Sequence, residues 1–317
     1  MKFVLALFAA LASLTVQAQA WPTKAVRVVV SLPAGSATDI VGRAVAERLS
    51  AQLGQPFVVE NRVGASGSIA QALVAKADPD GYTILVFSSS ATVVPSTVPN
   101  LPFDVIKDFS GITVLANTPL ALAVSPARGF KSVKELVDYA KANPGKLNYA
   151  TVGTGSGTHL NAERFRLGAN IQAQQVPYKG TPEALTDLIA GRVDYCFCPI
   201  SNVLPMAKEG KLGMIAVGSG RRASGAPDTP TTEEAGVPNS AYNFYVGMAV
   251  PSKVPRDIVA KLHAEVAKAV NSPEMKDRFA KLSVDAQVLT PEQFDVQLRD
   301  EVASNAALVK AAGIKVQ

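Results

Sequence analysis

Cysteine, histidine, aromatic residues and long hydrophobic runs are all scarce in this sequence of 317 residues. Its two histidines, His159 and His263, and its two cysteines leave too few ligands for a zinc site, so we expect no metal. Aromatic residues make up 6% of the chain, and its 31 Lys and Arg residues, against 26 Asp and Glu, form no long basic run. Because nucleic-acid-binding surfaces cluster basic and aromatic residues, we also expect no nucleic-acid partner.

The two cysteines stand two positions apart, as Cys196-Phe197-Cys198. In a strand this spacing puts both side chains on one face, with Cα atoms about 7 Å apart, at the edge of the range for a disulfide. Two buried thiols are the favoured interpretation, and a disulfide is the alternative.

The longest apolar stretch lies at the N-terminus. Lys2 is followed by apolar residues over 3–16 and then by Ala18-Gln19-Ala20, which fits a small-residue cleavage site. This pattern is typical of a secretory signal peptide over residues 1–20, cleaved after Ala20. No later segment approaches the roughly 18 apolar residues that a membrane-spanning helix needs, so we predict an exported, soluble protein.

Strands and helices alternate along the rest of the chain. The β-branched run over 26–30 predicts a strand buried on both faces, and a helix follows over 38–53. The alternation indicates βαβ units with parallel sheets, restarts in the middle of the chain and turns helical from about residue 255. We therefore predict an α/β fold of two doubly wound lobes, without a convincing internal repeat. Further strands are predicted over residues 57–60, 82–87, 120–124, 147–152, 193–197 and 213–217.

Two loops that end strands and open helices, residues 33–39 and 153–159, carry the chemistry that we expect. Free N–H groups and the dipole at a helix start bind anions without a charged side chain. Ser36, Ser156 and Thr158 add hydroxyl groups. One such loop could merely cap its helix, but two of them, in different lobes, favour a ligand cleft between the lobes that closes by a hinge.

Two other interpretations of the second loop are weaker. The glycines at 153, 155 and 157 lack the third glycine of a dinucleotide-binding loop, because Thr158 takes its place, and the chain has no P-loop. Ser156 and His159 share one loop, but no G-x-S-x-G elbow occurs. We therefore expect no cofactor and no catalytic residues. A secreted enzyme that uses Ser156, His159 or Asp39 remains the alternative.

Several short segments, in order over nearly all of the chain after residue 20, together indicate a family. They are Trp21-Pro22-Thr23-Lys24, residues 33–39, Val58-Val59-Glu60-Asn61-Arg62, Pro79-Asp80-Gly81-Tyr82-Thr83, residues 135–147, Thr158-His159-Leu160, Val176-Pro177-Tyr178-Lys179-Gly180 and residues 230–236. In this combination the chain resembles the solute-binding receptors of tripartite tricarboxylate transporters, the Bug-type periplasmic binding proteins.

The resemblance implies a two-lobed fold of the periplasmic binding protein type (type II-like). Residues 21–122 and 245–317 would form a discontinuous first lobe, and residues 123–244 the second. The protein would be a periplasmic monomer that captures a small carboxylate, a di- or tricarboxylate or an aromatic carboxylate, and delivers it to a membrane permease. Acidic amino acids stay open as ligands, and a receptor used only for signalling is a further alternative.

The loops and the resemblance together give a set of expected ligand-binding positions. They are Leu32, Ala34, Gly35, Ser36, Ala37, Asp39, Ser88, Ser89, Gly155, Ser156, Thr158, His159, Tyr178, Lys179, Gly180, Thr181, Cys198 and Asn202. Asp39 could receive a ligand ammonium group or could simply favour its helix dipole. The sequence departs from the family at Leu32, where an aromatic residue is common, and at Cys198, where an acidic residue is usual. Less negative charge at Cys198 would suit a fully anionic ligand.

Overall fold

The computed structural model of this chain describes residues 21–314, so the predicted signal peptide lies outside the described residues. Eleven strands and ten α-helices are present in this range. The strands are β1 (Val26–Val30), β2 (Phe57–Asn61), β3 (Thr83–Ser88), β4 (Phe109–Asn117), β5 (Leu120–Val124), β6 (Leu147–Thr151), β7 (Ala173–Pro177), β8 (Tyr195–Pro199), β9 (Gly213–Val217), β10 (Tyr245–Pro251) and β11 (Asp285–Ala286). The helices are α1 (Ala37–Leu53), α2 (Ser68–Ala75), α3 (Val94–Thr97), α4 (Val133–Ala142), α5 (Gly157–Gly168), α6 (Thr181–Ile189), α7 (Ile200–Lys208), α8 (Arg256–Asn271), α9 (Pro273–Lys281) and α10 (Pro291–Ala312).

The strands form two sheets, one in each lobe. The first sheet has the order β11-β4-β10-β3-β1-β2, and the second has the order β7-β6-β8-β5-β9. β1 is parallel to β2 and β3, and β6 is parallel to β7 and β8, as the sequence predicts. Both sheets are nevertheless mixed, because β10 is antiparallel to β3 and β4, and β5 is antiparallel to β8 and β9. These antiparallel strands adjoin the chain crossings from one lobe to the other.

Helices cover both faces of each sheet. Val28 and Val30 of β1 pack in one apolar cluster with Val41 and Leu49 of α1, while Val29 packs in a second cluster on the opposite face. The β-branched run of β1 is therefore buried on both faces, as a strand of this composition should be. In the second lobe the two faces are covered by α4 and α5 on one side and by α6 and α7 on the other.

The chain crosses between the two sheets at two adjacent places, and we call these crossings the hinge. The chain leaves the first sheet at Asn117 and enters the second at Leu120; it returns to the first at Tyr245. Thr118 N–H donates to the Phe244 carbonyl at 2.8 Å, so the two crossings are hydrogen-bonded side by side. All of β5 therefore lies in the second sheet.

The C-terminal helix α10 spans from one lobe to the other. Phe294, near its start, packs in the core of the first lobe, and Leu308, near its end, packs in a core cluster of the second lobe. Arg164 of α5 donates to Ser304 Oγ at 2.8 Å and to Asn305 Oδ1 at 3.3 Å. In the described part of the chain, no helix is both long enough and apolar enough to span a bilayer.

Candidate functional site

The first of the two loops lies between β1 and α1 and is held by reciprocal hydrogen bonds. Gly35 has a φ of +81°, which an L side chain adopts only with strain. Ser36 is the N-cap of α1, and its hydroxyl accepts from Asp39 N–H at 3.2 Å. In return, Gly35 N–H donates to Asp39 Oδ2 at 2.9 Å. The loop is therefore fixed by its own first helical turn.

The second loop, between β6 and α5, repeats this geometry with a different side chain. Gly155 has a φ of +76°, and the N-cap Ser156 has φ −69° and ψ 160°, against −68° and 159° for Ser36. The Ser156 hydroxyl accepts from His159 N–H at 3.3 Å, and Gly155 N–H donates to His159 Nδ1 at 3.1 Å. The two loops thus share the local sequence Gly-Ser-x-Thr followed by a side-chain acceptor, Asp in one and His in the other. The match is confined to these few positions, so it is a shared loop geometry and not an internal repeat of the chain.

These caps leave the same N–H groups available at both helix starts. A helix start has unpaired backbone donors, and in each loop the N-cap hydroxyl accepts from the third residue of the helix. The N–H groups of Ala37 and Thr38, and those of Gly157 and Thr158, donate to no other group within residues 21–314. Each lobe therefore presents a pair of backbone donors at the positive end of a helix dipole, which is an anion-binding arrangement.

Asp39 stabilises the first loop through its buried carboxylate. Its carboxylate is buried and accepts from Gly35 N–H, from Arg43 Nε at 2.9 Å and from Asn61 Nδ2 at 2.8 Å. Asn61 also donates to the Leu32 carbonyl at 2.9 Å. Burial raises the pKa of Asp39, but the hydrogen bonds from Arg43, Gly35 and Asn61 outweigh it, so its pKa lies below the ordinary value. Arg43 and Asn61 are supporting residues that the sequence interpretation missed.

His159 supports the second loop as a neutral side chain. It is buried, and burial lowers its pKa below the ordinary value. Because Nδ1 accepts the Gly155 N–H, the single ring proton of the neutral form lies on Nε2, which is then a donor. The Ser156 hydroxyl donates to the Gly153 carbonyl at 2.7 Å, so Ser156 and His159 are not arranged as a nucleophile and its base.

The predicted serines lie at the end of β3, which adjoins the strand that leads into the first loop: Ser88 is its last residue and Ser89 follows it. Ser88 and Ser89 are buried; the Ser88 hydroxyl lies 2.5 Å from that of Ser90, and the Ser89 hydroxyl lies 3.2 Å from the Tyr242 hydroxyl. A Cβ atom on Gly157 would lie 3.5 Å from the Tyr242 ring. Tyr242 therefore contacts the serine segment of the first lobe and the second loop, and brings the two lobes' strand ends together.

The predicted third loop, Tyr178 to Thr181, lies beside the second. Tyr178 N–H donates to the Thr151 carbonyl at 2.8 Å, which continues the pairing of β7 with β6. The Tyr178 hydroxyl donates to Asp187 Oδ2 at 2.8 Å, and burial, with this bond, raises its pKa to about 12. Lys179 is exposed, and Gly180 and Thr181 form the start of α6. The backbone of this loop thus lies at the edge of the second sheet where Thr151 ends β6.

The last two predicted positions lie at and after the end of β8. Cys198 is buried in an apolar cluster of the second lobe and is joined to Cys196 by a disulfide, so the expectation of two free thiols is wrong. Their Cα atoms are 5.7 Å apart, closer than the expected separation and well inside the disulfide range. Asn202 is exposed on α7. Ala34 is exposed beside Gly35 in the first loop.

Comparison with known proteins gives consistent matches. The family model for "Tripartite tricarboxylate transporter family receptor" matches residues 41–314. Protein BugT of Bordetella pertussis is 31% identical over 318 aligned residues, which cover 99% of this chain and 98% of BugT. Among solved structures, "R. palustris Rpa4515 with adipate" has a TM-score of 0.83 and 31% identity, covering 94% of this chain and all of the other. The structure of periplasmic binding protein BugD has a TM-score of 0.79 and 31% identity, with the same coverage. The predicted two-lobed fold class is confirmed by these structures.

Proposed function

This chain belongs to the tripartite tricarboxylate transporter receptor family, and from that membership we propose how it captures its ligand. Members of the family are solute-binding receptors and not enzymes, and this chain is such a receptor. Its ligand is a small organic carboxylate without an amino group, bound in the cleft where loops 33–39 and 153–159 meet. A dicarboxylate is the leading candidate.

One observation carries the proposal: the two lobes present matching helix starts with unpaired N–H groups. The donors are Ala37 and Thr38 in one lobe and Gly157 and Thr158 in the other. Carboxylate oxygens accept from such donors, and charge-assisted hydrogen bonds are about twice as strong as neutral ones. The Nε2–H of the neutral His159 supplies one further donor.

The state of Asp39 disfavours an amino acid as ligand. A ligand ammonium group needs an accessible acceptor, but the Asp39 carboxylate is buried and already accepts three hydrogen bonds, from Gly35, Arg43 and Asn61. Asp39 therefore positions the first loop and does not contact the ligand. The solved relative with adipate holds a dicarboxylate, which agrees in kind with a ligand of this class.

The other predicted positions complete the proposed site. Backbone or hydroxyl groups of Gly35, Ser36, Gly155 and Ser156 shape the two anion sites, and the remaining positions surround them. These are Leu32, Ala34, Ser88, Ser89, Tyr178, Lys179, Gly180, Thr181, Cys198 and Asn202.

The cellular setting follows from the family. Its related structures include a periplasmic binding protein, and a receptor of a tripartite transporter works with membrane components. We propose that this chain is exported, is cleaved after Ala20 and delivers its ligand, as a monomer, to a membrane permease.

Thermal unfolding of the mature protein against a panel of carboxylates tests the proposal. The panel contains dicarboxylates of four to six carbons, citrate, glutamate, terephthalate, protocatechuate and nicotinate. A ligand at about 100 times its Kd stabilises the folded state by about 2.7 kcal/mol. This stabilisation raises the unfolding temperature by several degrees. We expect the largest shift with a dicarboxylate, none with glutamate, and recovery of the ligand unchanged.

Chemical analysis of the denatured sample distinguishes a pre-filled receptor from a failed proposal. If no panel member shifts the unfolding and denaturation releases no carboxylate, the proposed ligand class is wrong. A shift with glutamate equal to that with the matching dicarboxylate would contradict the role assigned to Asp39.

A further inference from the structure

A cavity of about 390 Å³ is lined by residues of both lobes and by none of the two loops. Its walls come from the segment after β9 in the second lobe and from α9 and β11 in the first. The lining residues are Arg221, Arg222, Ser224, Lys276, Phe279, Ala280, Val284, Asp285 and Ala286, and we call this cavity the back groove.

Strand order places the back groove on the far side of the hinge from the ligand loops. In the first sheet, β11 is at one end, and β4, β10 and β3 separate it from β1, which leads into loop 33–39. In the second sheet, β9 is at one end, and β5 and β8 separate it from β6, which leads into loop 153–159. A smaller adjoining cavity is lined by Asn117, Pro119 and Phe244 of the crossings, so the back groove reaches the hinge itself.

Cationic side chains predominate around the back groove. Arg221 and Lys276 are exposed, and neither forms an ion pair with a carboxylate of residues 21–314. Arg222 is paired with Glu234 at 2.8 Å. The one carboxylate in the lining, Asp285, accepts a hydrogen bond from Ser224 across the lobes. Two unpaired cations from different lobes therefore face one cavity with an apolar floor that includes the buried Phe279.

We propose that the back groove is a second anion-binding site, which holds a carboxylate or phosphate group between Arg221 of the second lobe and Lys276 of the first. Guanidinium and ammonium groups are the side chains that bind such oxyanions. The anion is a free small molecule or a side chain of an acidic polypeptide. Because its two cations belong to different lobes, the affinity of this site depends on the hinge angle.

Backbone amide NMR of the mature protein tests this site without reference to the ligand of the cleft. The probes are inorganic phosphate and a tetraglutamate peptide, each titrated at constant ionic strength. We expect saturable shifts, with Kd from about 0.1 to 10 mM, at amides of residues 219–226 and 276–286. Shifts confined to residues 33–39 and 153–159, or no shifts, would overturn the proposal.

Charge variants locate the bound anion. Arg221→Ala and Lys276→Ala are each expected to raise the Kd at least about fivefold, since each removes a charged partner. Lys253→Ala removes the charge of an exposed lysine outside the groove, and this variant is expected to bind the anion with the Kd of the wild type. Equal loss in all three variants would mean non-specific attraction and would contradict the site. Tighter binding of tetraglutamate than of phosphate assigns the site to an acidic polypeptide, and the reverse assigns it to a small anion.

Discussion

At the scale of single residues, the proposed site depends on backbone N–H groups more than on side chains. The side chains that sequence reasoning favours, Asp39 and His159, are engaged with the glycines of their own loops. Asp39 has a depressed pKa and His159 is neutral, so neither offers a free positive charge. In the proposed site, the groups that reach the ligand are the two unpaired donors at each helix start. A variant that removes one of these N–H groups and changes little else tests this role.

Ala37→Pro makes that change in the first loop. Proline is well tolerated at the first position of a helix, and the preceding Ser36 already has the extended conformation that proline requires of its neighbour. The fold should therefore persist, while the ligand loses one charge-assisted hydrogen bond worth about 1.5–3 kcal/mol. We expect at least a tenfold weaker Kd by calorimetry with the best ligand of the carboxylate panel.

Arg256→Pro is the matched control for this variant. Arg256 is the exposed first residue of α8 and contributes to neither loop. Ligand affinity is expected to stay at the wild-type value there. An unchanged affinity in Ala37→Pro, with the fold intact by circular dichroism, would remove the Ala37 N–H from the proposed site.

At the scale of elements, local periodicity predicts much of the chain. The strand over 26–30, the strand over 213–217 and the helix that ends at Leu53 lie where the sequence patterns put them. The strands β4 and β10 are among the elements that the sequence patterns do not predict. Both are central strands of the first sheet, and β10 joins it only after the chain returns from the second lobe. That pairing is set by tertiary contacts between distant segments, which no local pattern contains.

The shared geometry of loops 33–39 and 153–159 shows a second limit of prediction from sequence. In residues 35–39 and 155–159, Gly-Ser is followed by any residue, then by Thr, then by a side chain that can accept a hydrogen bond. This similarity is present in the sequence itself. The sequence does not show that Asp39 and His159 are equivalent, because the two side chains differ chemically. Their common role is visible only in the structure, where each accepts a hydrogen bond from the glycine of its own loop. The Cys196–Cys198 disulfide was misjudged because an ideal strand spacing overestimates the 5.7 Å between their Cα atoms.

The packing of α5 on the hinge yields a prediction at this scale. A Cβ atom on Gly218, just after β9, would lie 2.0 Å from Oδ1 of the buried Asn161 on α5. Gly218→Ala should therefore destabilise the fold by about 1–3 kcal/mol, the usual cost of overpacking. Denaturant unfolding of Gly218→Ala and of the wild type measures this loss in the free energy of unfolding.

Two further variants make this prediction specific. Neither amide atom of Asn161 has a hydrogen-bond partner within residues 21–314, so shortening this side chain sacrifices no bond. In an Asn161→Ala background the cost of Gly218→Ala should fall by at least half, which a double-mutant cycle detects. Gly220→Ala is the control, because its Cβ would have no neighbour closer than 3.7 Å. Equal costs of Gly218→Ala in both backgrounds would mean that Asn161 is not the obstacle.

At the scale of the whole molecule, α10 contacts both lobes and carries a half-buried ionisable group, Glu301. Glu301 accepts from the Tyr245 hydroxyl and from Gln297 Nε2, each at 2.8 Å. Burial raises its pKa to about 7, although the bonds from Tyr245 and Gln297 and the charge of Arg164 act in the opposite direction. This carboxyl group lies on the same helix that Arg164 of the second lobe contacts through Ser304 and Asn305.

The sign of the pH effect follows from the two states of Glu301. Between about pH 4.5 and 7 the folded protein holds a proton that the unfolded chain has released, so its contribution to the free energy of unfolding falls as pH rises. Glu301→Gln cannot ionise and should escape this loss. We expect the variant to match the wild type at pH 5 and to be more stable by about 1–2 kcal/mol at pH 8.

Denaturant unfolding at both pH values checks this expectation, with Glu233→Gln as the control for an exposed glutamate. His159, whose pKa is lowered by burial, gives stability that rises with pH, but it is present in every variant and cancels in the comparison. A stability difference that is the same at pH 5 and pH 8 would show that Glu301 ionises normally. A difference that grows with pH would instead establish that the helix in contact with both lobes carries a carboxyl group whose pKa is raised by folding, and that its ionisation weakens the fold as the pH rises.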